Sequence, residues 1–334
     1  MTEPQNRIVL TGIKPTGTPH IGNYLGAIEP ALRRANEYTE AFFFIADYHA
    51  LNSVQDGETM KQLTRTVAAT WLAAGLDPSN IHFYRQSDVP EIFELDVILN
   101  NFVPKGWMNK MHGYKAAMDK NRAAGKLDDF EVNMGLYNYP ILMTSDIIIF
   151  NATHIPVGRD QVQHVEIARD IAQRFNNQFN DEVFVLPEHV IADGIAELPG
   201  IDGRKMSKSY GNTIPLYAGR EAWEQAVRKI VTDSIEHSHE TIRETVLYKV
   251  YATLATEEQL NNLATQLVEK TIGWKQAKDL LLEALETRFG QQAAHYQELL
   301  QNPEHIDAVL AEGAAKVRPI AQAQLAHVKS VLGI

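Results

Sequence analysis

Residues 41–46, Ala-Phe-Phe-Phe-Ile-Ala, leave this chain few architectures. A strand that is apolar on both faces must be covered on both, which is the situation of an interior strand in a parallel sheet flanked by helices. Residues 7–10 read as a second short strand, running into the loop Thr11-Gly-Ile-Lys-Pro-Thr-Gly17. Ile21, Leu25, Ile28, Leu32 and Ala35 then recur at helical spacing over 21–38. Residues 59–74 repeat that pattern with Met60, Leu63, Val67, Trp71 and Ala74, until Gly75 and Asp77-Pro78 stop it. Residues 81–84 give another strand. Residues 139–143 continue through Thr144-Ser145-Asp146 into the apolar 147–150, and Ile155-Pro156-Val157-Gly158 precedes a helix over 161–175. A later strand is expected at 183–186, followed by a Gly-rich polar loop over 192–211. This alternation predicts an α/β fold: a doubly wound parallel-sheet, Rossmann-like nucleotide-binding domain.

The pattern changes after residue 215. Residues 221–231, 242–254, 257–270, 274–289, 291–300 and 305–332 all carry helical periodicity, with no alternating runs. The expected division is a catalytic domain over 1–214 and an α-helical domain over 215–334.

Composition narrows the chemistry. The 334 residues include no cysteine, which excludes disulfides, thiolate nucleophiles and Cys-based zinc sites. The start carries no signal-peptide pattern and no apolar run reaches the roughly 20 residues that span a bilayer, so a cytoplasmic protein with no membrane association is expected. The formal net charge is -11, yet residues 105–126 hold six basic side chains, Lys110, Lys115 and Lys120 among them, against the single acid Asp119. Such an island is either a solvated helix face or a contact for nucleic-acid phosphates.

Two elements point to nucleotide chemistry. The first is Pro15-Thr-Gly-Thr-Pro-His20-Ile-Gly-Asn23, between a strand and a helix. Glycine there permits close backbone approach, and a helix start favours phosphate. The segment matches neither the dinucleotide fingerprint nor the P-loop. A tight turn would explain the glycines, but not His20, whose charged or donor imidazole can stabilise transferring phosphoryl oxygens. The second element, Lys205-Met-Ser-Lys-Ser209, places two cations three residues apart among glycines, suited to charge developing on a leaving pyrophosphate.

With both elements, the chain resembles the class I aminoacyl-tRNA synthetases. The second motif matches at every position, whereas the first ends in Asn23 where the family usually has His. The likeness extends over nearly the whole chain and is closest to the bacterial tryptophan-activating branch, through 139–146, Pro156-Val-Gly-Arg-Asp-Gln161, 164–170 and 231–234. It implies a Rossmann fold binding ATP and L-tryptophan, a helical part that reads the anticodon of tRNA(Trp), and a homodimer. It assigns catalysis to His20, Lys205 and Lys208. Lys14, Pro15, Thr16, Gly22, Asn23, Gly158, Arg159 and Asp160 would meet ATP, together with Met206, Ser207 and Ser209. Asp146 would accept the indole N–H, Tyr139 and Gln161 would hold the amino group, Met143 and Val157 would line the ring, and His49 would lie near the carboxylate. On the phosphate-contact reading of the basic island, Lys110, Lys115 and Lys120 would touch tRNA.

No protein metal cage is expected: Mg²⁺ would be held mainly by ATP phosphates. Asp146 and Asp160 also admit a plainer reading as helix caps. A tyrosine-specific enzyme, another ATP-dependent nucleotidyltransferase and a non-catalytic tRNA-binding relative are the competing functions. The aromatic and Met-rich stretch 98–118 is the expected dimer surface.

Overall fold

A computed structural model describes residues 6–191, 198–232 and 238–334. Parts of the expected loop over 192–211 and of the stretch 231–234 lie outside the described residues. The both-sides-apolar segment is indeed an interior strand. Five parallel strands, β1 (Ile8–Ile13), β2 (Glu40–Ile45), β3 (His82–Arg85), β4 (His154–Val157) and β5 (Glu188–Ile191), lie in the order β3-β2-β1-β4-β5. β1 and β2 pair along their whole length, from Ile8 opposite Glu40 to Ile13 opposite Ile45. Strand order reverses at β1, which has β2 on one side and β4 on the other. In a doubly wound sheet that reversal leaves a crevice at the carboxyl ends of the strands.

The sheet separates two apolar layers. One joins Val9, Phe43 and Phe83 to Ile21, Leu25 and Trp71, and continues into Trp223, Leu281, Phe289 and Leu310. The other joins Leu10, Phe42 and Phe44 to Ile147, Phe150, Ile171 and Phe175. The helical region beyond residue 215 therefore shares a core with the sheet. Its last helix, Pro303–Leu332, lies against β3, and a Cβ on Gly313 would sit 1.8 Å from the carbonyl oxygen of Phe83. Only glycine allows that approach. Arg318 fixes the same helix by a forked contact to Glu91, at 2.9 and 3.1 Å.

Several local expectations are corrected. No strand forms at 183–186: the Asn176 side chain accepts from Phe184 N at 3.0 Å and donates to its carbonyl at 2.8 Å, taking the place of a neighbouring strand. β5 starts two residues later. The expected helix over 242–254 is two, His239–Glu244 and Val246–Tyr251, because Thr245 leaves helical geometry and caps the second. Conversely, 274–289 and 291–300 are one helix, Trp274–Gln301, running through Gly290. The stretch 98–118 divides its apolar side chains between the core and half-buried positions such as Ile98, Trp107 and Met118. Leu99, Met108, Met111 and Tyr114 are buried, and Phe102 packs its ring 5.0 Å from that of Phe175.

Candidate active site

At the strand-order reversal, a cavity of about 240 Å³ opens between the ends of β1 and β4. Its mostly apolar wall includes Gly12, Phe44, Met143, Ile147 and Val157, while Lys14, His49, Tyr139, Asp146 and Gln161 supply polar groups. A predominantly apolar cleft with a few polar side chains is the usual form of a small-molecule site.

Asp146 forms one end. It lies inside the helix Met134–Ile148 and so caps nothing. Pro140, earlier in that helix, lacks an N–H for the usual backbone bond, and Thr144 donates its hydroxyl to the Pro140 carbonyl at 2.7 Å. At 1% exposure the Asp146 carboxylate needs partners. Gln86 donates to both of its oxygens, at 2.9 and 3.0 Å, and His49 Nε2 lies 3.0 Å from Oδ2. Burial pushes the Asp146 carboxyl up, and the His49 contact works against that shift. His49, expected beside a substrate carboxylate, thus has Asp146 as its immediate partner. Behind the pair, Asp96 has a buried oxygen without a protein partner. Burial first, and the nearby Asp146 second, push the Asp96 carboxyl up to about 6.

The other polar end is a chain of side chains. Tyr139 Oη contacts His164 Nε2, His164 Nδ1 lies 2.8 Å from Gln161 Oε1, and Gln161 Nε2 donates to Asp160 at 3.1 Å. Asp160 lies within the short 3-10 turn Arg159–Gln161 and holds Gln161 instead of capping the following helix, Val162–Phe179. Lys14 stands over the Tyr139 ring, 5.8 Å from its centroid. Burial lowers the Lys14 pKa.

The two nucleotide elements meet at the rim. His20 starts the helical segment Ile21–Asn23, and Asn23 Oδ1 accepts from His20 N at 3.1 Å. A π turn, Tyr24–Ile28, follows; such turns are frequent at functional sites. The segment is anchored by Ile21 N donating to Ile214 O at 3.1 Å, and by an isolated bridge between His20 and Pro215. Lys208 Nζ donates to the Gly17 carbonyl at 2.8 Å. Asn212 braces the second element: it accepts from Ser207 N at 2.8 Å and donates to Lys205 O at 3.0 Å. Met206 is buried in the core, whereas Ser209 Oγ lies 2.8 Å from Ser207 Oγ.

The electrostatics refine one expectation. Burial, reinforced by Lys208, drives the His20 pKa down to about 4. Its imidazole is neutral near pH 7, a hydrogen-bond donor and not a cation. Its Nδ1 is buried and has no protein partner. Gly158 lines the cavity and Arg159 follows it in the 3-10 turn, while Pro15 and Thr16 continue the loop after β1. Among the described residues no cluster of three or more His, Asp or Glu side chains could hold a metal ion.

Residues 2–290 match the family model for class I tRNA synthetases (W and Y). The chain belongs to this family. A tryptophan–tRNA ligase of Bordetella parapertussis is 49% identical over 98% of this chain and 73% of that protein. One from Neisseria meningitidis is 47% identical over 98% of this chain and 97% of its own length. The crystal structure of tryptophanyl-tRNA synthetase from Campylobacter jejuni, complexed with ADP and tryptophan, is 38% identical. It superposes with a TM-score of 0.89, over 98% of this chain and all of that one.

Gln86, Asp96, His164 and Asn212 were not singled out by sequence reasoning. His164 falls within a matching stretch, and its spacing of three from Gln161 on a helix would have placed the two side by side. Lys110, Lys115 and Lys120 are exposed, and the Lys110 carbonyl accepts from Gln163 Nε2 at 3.3 Å. Lys115 and Lys120 share the helix His112–Ala123. Five residues apart, they point roughly 140° apart around it.

Proposed function

We propose that the chain is a tryptophan–tRNA ligase, activating L-tryptophan with ATP and passing it to the 3′-terminal adenosine of tRNA(Trp). The observation that carries this reading is the cavity at the strand-order reversal: apolar walls closed by a buried carboxylate, Asp146. An indole offers one N–H donor and no acceptor, whereas a phenol offers both. A carboxylate already receiving His49 and Gln86 suits the donor-only ring. Tyr139 and Gln161 hold the ammonium, while Met143 and Val157 cover the ring. The organic substrate is thereby oriented with its carboxylate toward Lys14 and the rim.

The tryptophan carboxylate attacks the α-phosphorus of ATP in line; the bond to the bridging oxygen breaks and pyrophosphate leaves. His20 donates to phosphate oxygens, and Lys205 and Lys208 balance the charge that grows on pyrophosphate. Gly22 and Asn23 border the nucleotide at the helix start, Gly158, Arg159 and Asp160 flank the adenosine, and Met206, Ser207 and Ser209 shape the loop over it. Mg²⁺ would arrive with the polyphosphate and would be held mainly by phosphate oxygens and water. The terminal adenosine hydroxyl then attacks the adenylate carbonyl and AMP departs. Positioning and charge stabilisation account for both steps without a protein nucleophile. Pyrophosphate exchange dependent on tryptophan tests this function.

The helices over 215–334 are assigned to the anticodon, and Lys110, Lys115 and Lys120 to tRNA phosphates. Neutralising the three together weakens tRNA binding and flattens its salt dependence if they make those contacts; unchanged values would make them a solvated face. The protein works in the cytoplasm as a homodimer. Support for self-association comes from exposed apolar side chains outside the stretch first expected: Val97 is 65% exposed, Met134 66% and Leu127 82%. No helix among the described residues is long and apolar enough to cross a membrane.

A further inference from the structure

The chain from Asp160 to Tyr139 has a direction that can be worked out bond by bond. A carboxylate only accepts, so the contact at 3.1 Å requires Gln161 to turn its NH₂ toward Asp160. That leaves Gln161 Oε1 facing His164 Nδ1 at 2.8 Å. Oε1 only accepts, so Nδ1 must carry the hydrogen. His164 is buried, and burial with the nearby Lys14 lowers its pKa to about 4. A neutral ring has one N–H, so Nε2 is bare and must accept. Its partner, the Tyr139 hydroxyl, must donate. Burial raises the Tyr139 pKa to about 12, so that proton is present at neutral pH.

We propose that His164 is a positioning residue that sets the hydrogen-bond polarity of the ammonium site, taking the hydroxyl hydrogen of Tyr139 on Nε2 and giving its Nδ1 hydrogen to Gln161. This rests on the tryptophan reading above. With both hydrogens committed to the imidazole relay, the Tyr139 oxygen and Gln161 Oε1 present lone pairs to the cavity. An ammonium brings three donors and no acceptor, so it meets two acceptors with no rotation required. The opposite tautomer would spend the Tyr139 lone pairs on Nε2–H and free its hydroxyl hydrogen to face the cation. His164 therefore discriminates for the α-amino group without touching it.

The test pairs L-tryptophan with indole-3-propionate, which keeps the ring and carboxylate and lacks the ammonium. In calorimetry on His164→Phe, the Kd for tryptophan should weaken at least about tenfold, while that for indole-3-propionate changes less than about twofold. In pyrophosphate exchange the KM for tryptophan should rise with little change in kcat. Equal losses for both ligands would overturn the proposal and make His164 a packing residue. Because the variant can fail to fold, ¹⁵N-histidine NMR of the wild-type protein supplies a second reading. A protonated Nδ1 and bare Nε2 at neutral pH are expected, and the reverse tautomer would overturn the proposal. If the wild-type protein itself fails to bind tryptophan, the substrate reading falls. If it binds and His164→Phe shows no selectivity, the relay alone falls.

Discussion

Lys208 Nζ donates to the backbone carbonyl of Gly17 at 2.8 Å, joining two nucleotide elements 191 residues apart in the chain. Gly17 has a φ of 148°, and a Cβ there would lie 3.2 Å from Lys208 Cδ. The lysine thus rests on the strand–helix turn to which the first motif would bring phosphate. Its ammonium, with a pKa lowered by desolvation, is placed to exchange a carbonyl for an anionic oxygen.

Lys208→Ala should slow adenylate formation about 10²- to 10³-fold, the range found when one donor to a developing oxyanion is removed. Tryptophan affinity should change little, because the side chain lies on the nucleotide rim. Rapid-quench single turnover measures the rate and calorimetry the affinity. A wild-type single-turnover rate would rule out the transition-state role.

Asp146→Asn should weaken tryptophan binding by roughly 1.5–3 kcal/mol, the range for a hydrogen bond to a charged group, and leave ATP affinity near its wild-type value. Gln86 and His49 also lose an acceptor with full charge, so unfolding in urea should show lower stability. The assignment fails if the folded variant binds tryptophan as the wild type does.

His20 makes stability depend on pH. Its folded pKa of about 4 lies below the unfolded value of 6.5, so the unfolded chain binds the extra proton between those limits. The stabilisation is therefore complete above about pH 6.5 and declines as pH falls toward 4. Relative to the wild type, His20→Gln should lose stability less steeply over that window, by urea midpoints at several pH values. Parallel curves would mean that His20 is not held neutral by the fold.

Self-association should depend on Val97 and Met134. Charging both, as Val97→Lys with Met134→Glu, should convert a dimer to a monomer at micromolar protein while leaving the fold intact, by sedimentation equilibrium and circular dichroism. A wild-type monomer at that concentration would remove the dimer from the account.

The candidate site was legible where chemistry is local in sequence. An acid alone in an apolar run marked Asp146, and two motifs marked His20 and Lys208. The alternation of apolar segments likewise predicted β1 to β3 within a few residues. What stayed hidden depends on pairing across the chain. Gln86 and His49 approach Asp146 from 60 and 97 residues away, and no periodicity announces that meeting. Around Phe102, aromatic and Met side chains suit interfaces and cores alike, and sequence alone does not divide them. Residues 183–186 looked like a strand because their apolar character is real, but Asn176 holds their backbone. The positive island showed its charge in sequence, whereas the divergence of Lys115 from Lys120 follows only once a helix is fixed.

ATP–pyrophosphate exchange without tRNA, run on the purified protein with each standard amino acid in turn, decides whether the chain activates tryptophan. Rapid exchange is expected with L-tryptophan and, for L-tyrosine, a kcat/KM lower by several orders of magnitude, since the phenol would leave polar groups unmatched in the cavity. Exchange preferring tyrosine, or no exchange with any amino acid, would contradict that expectation.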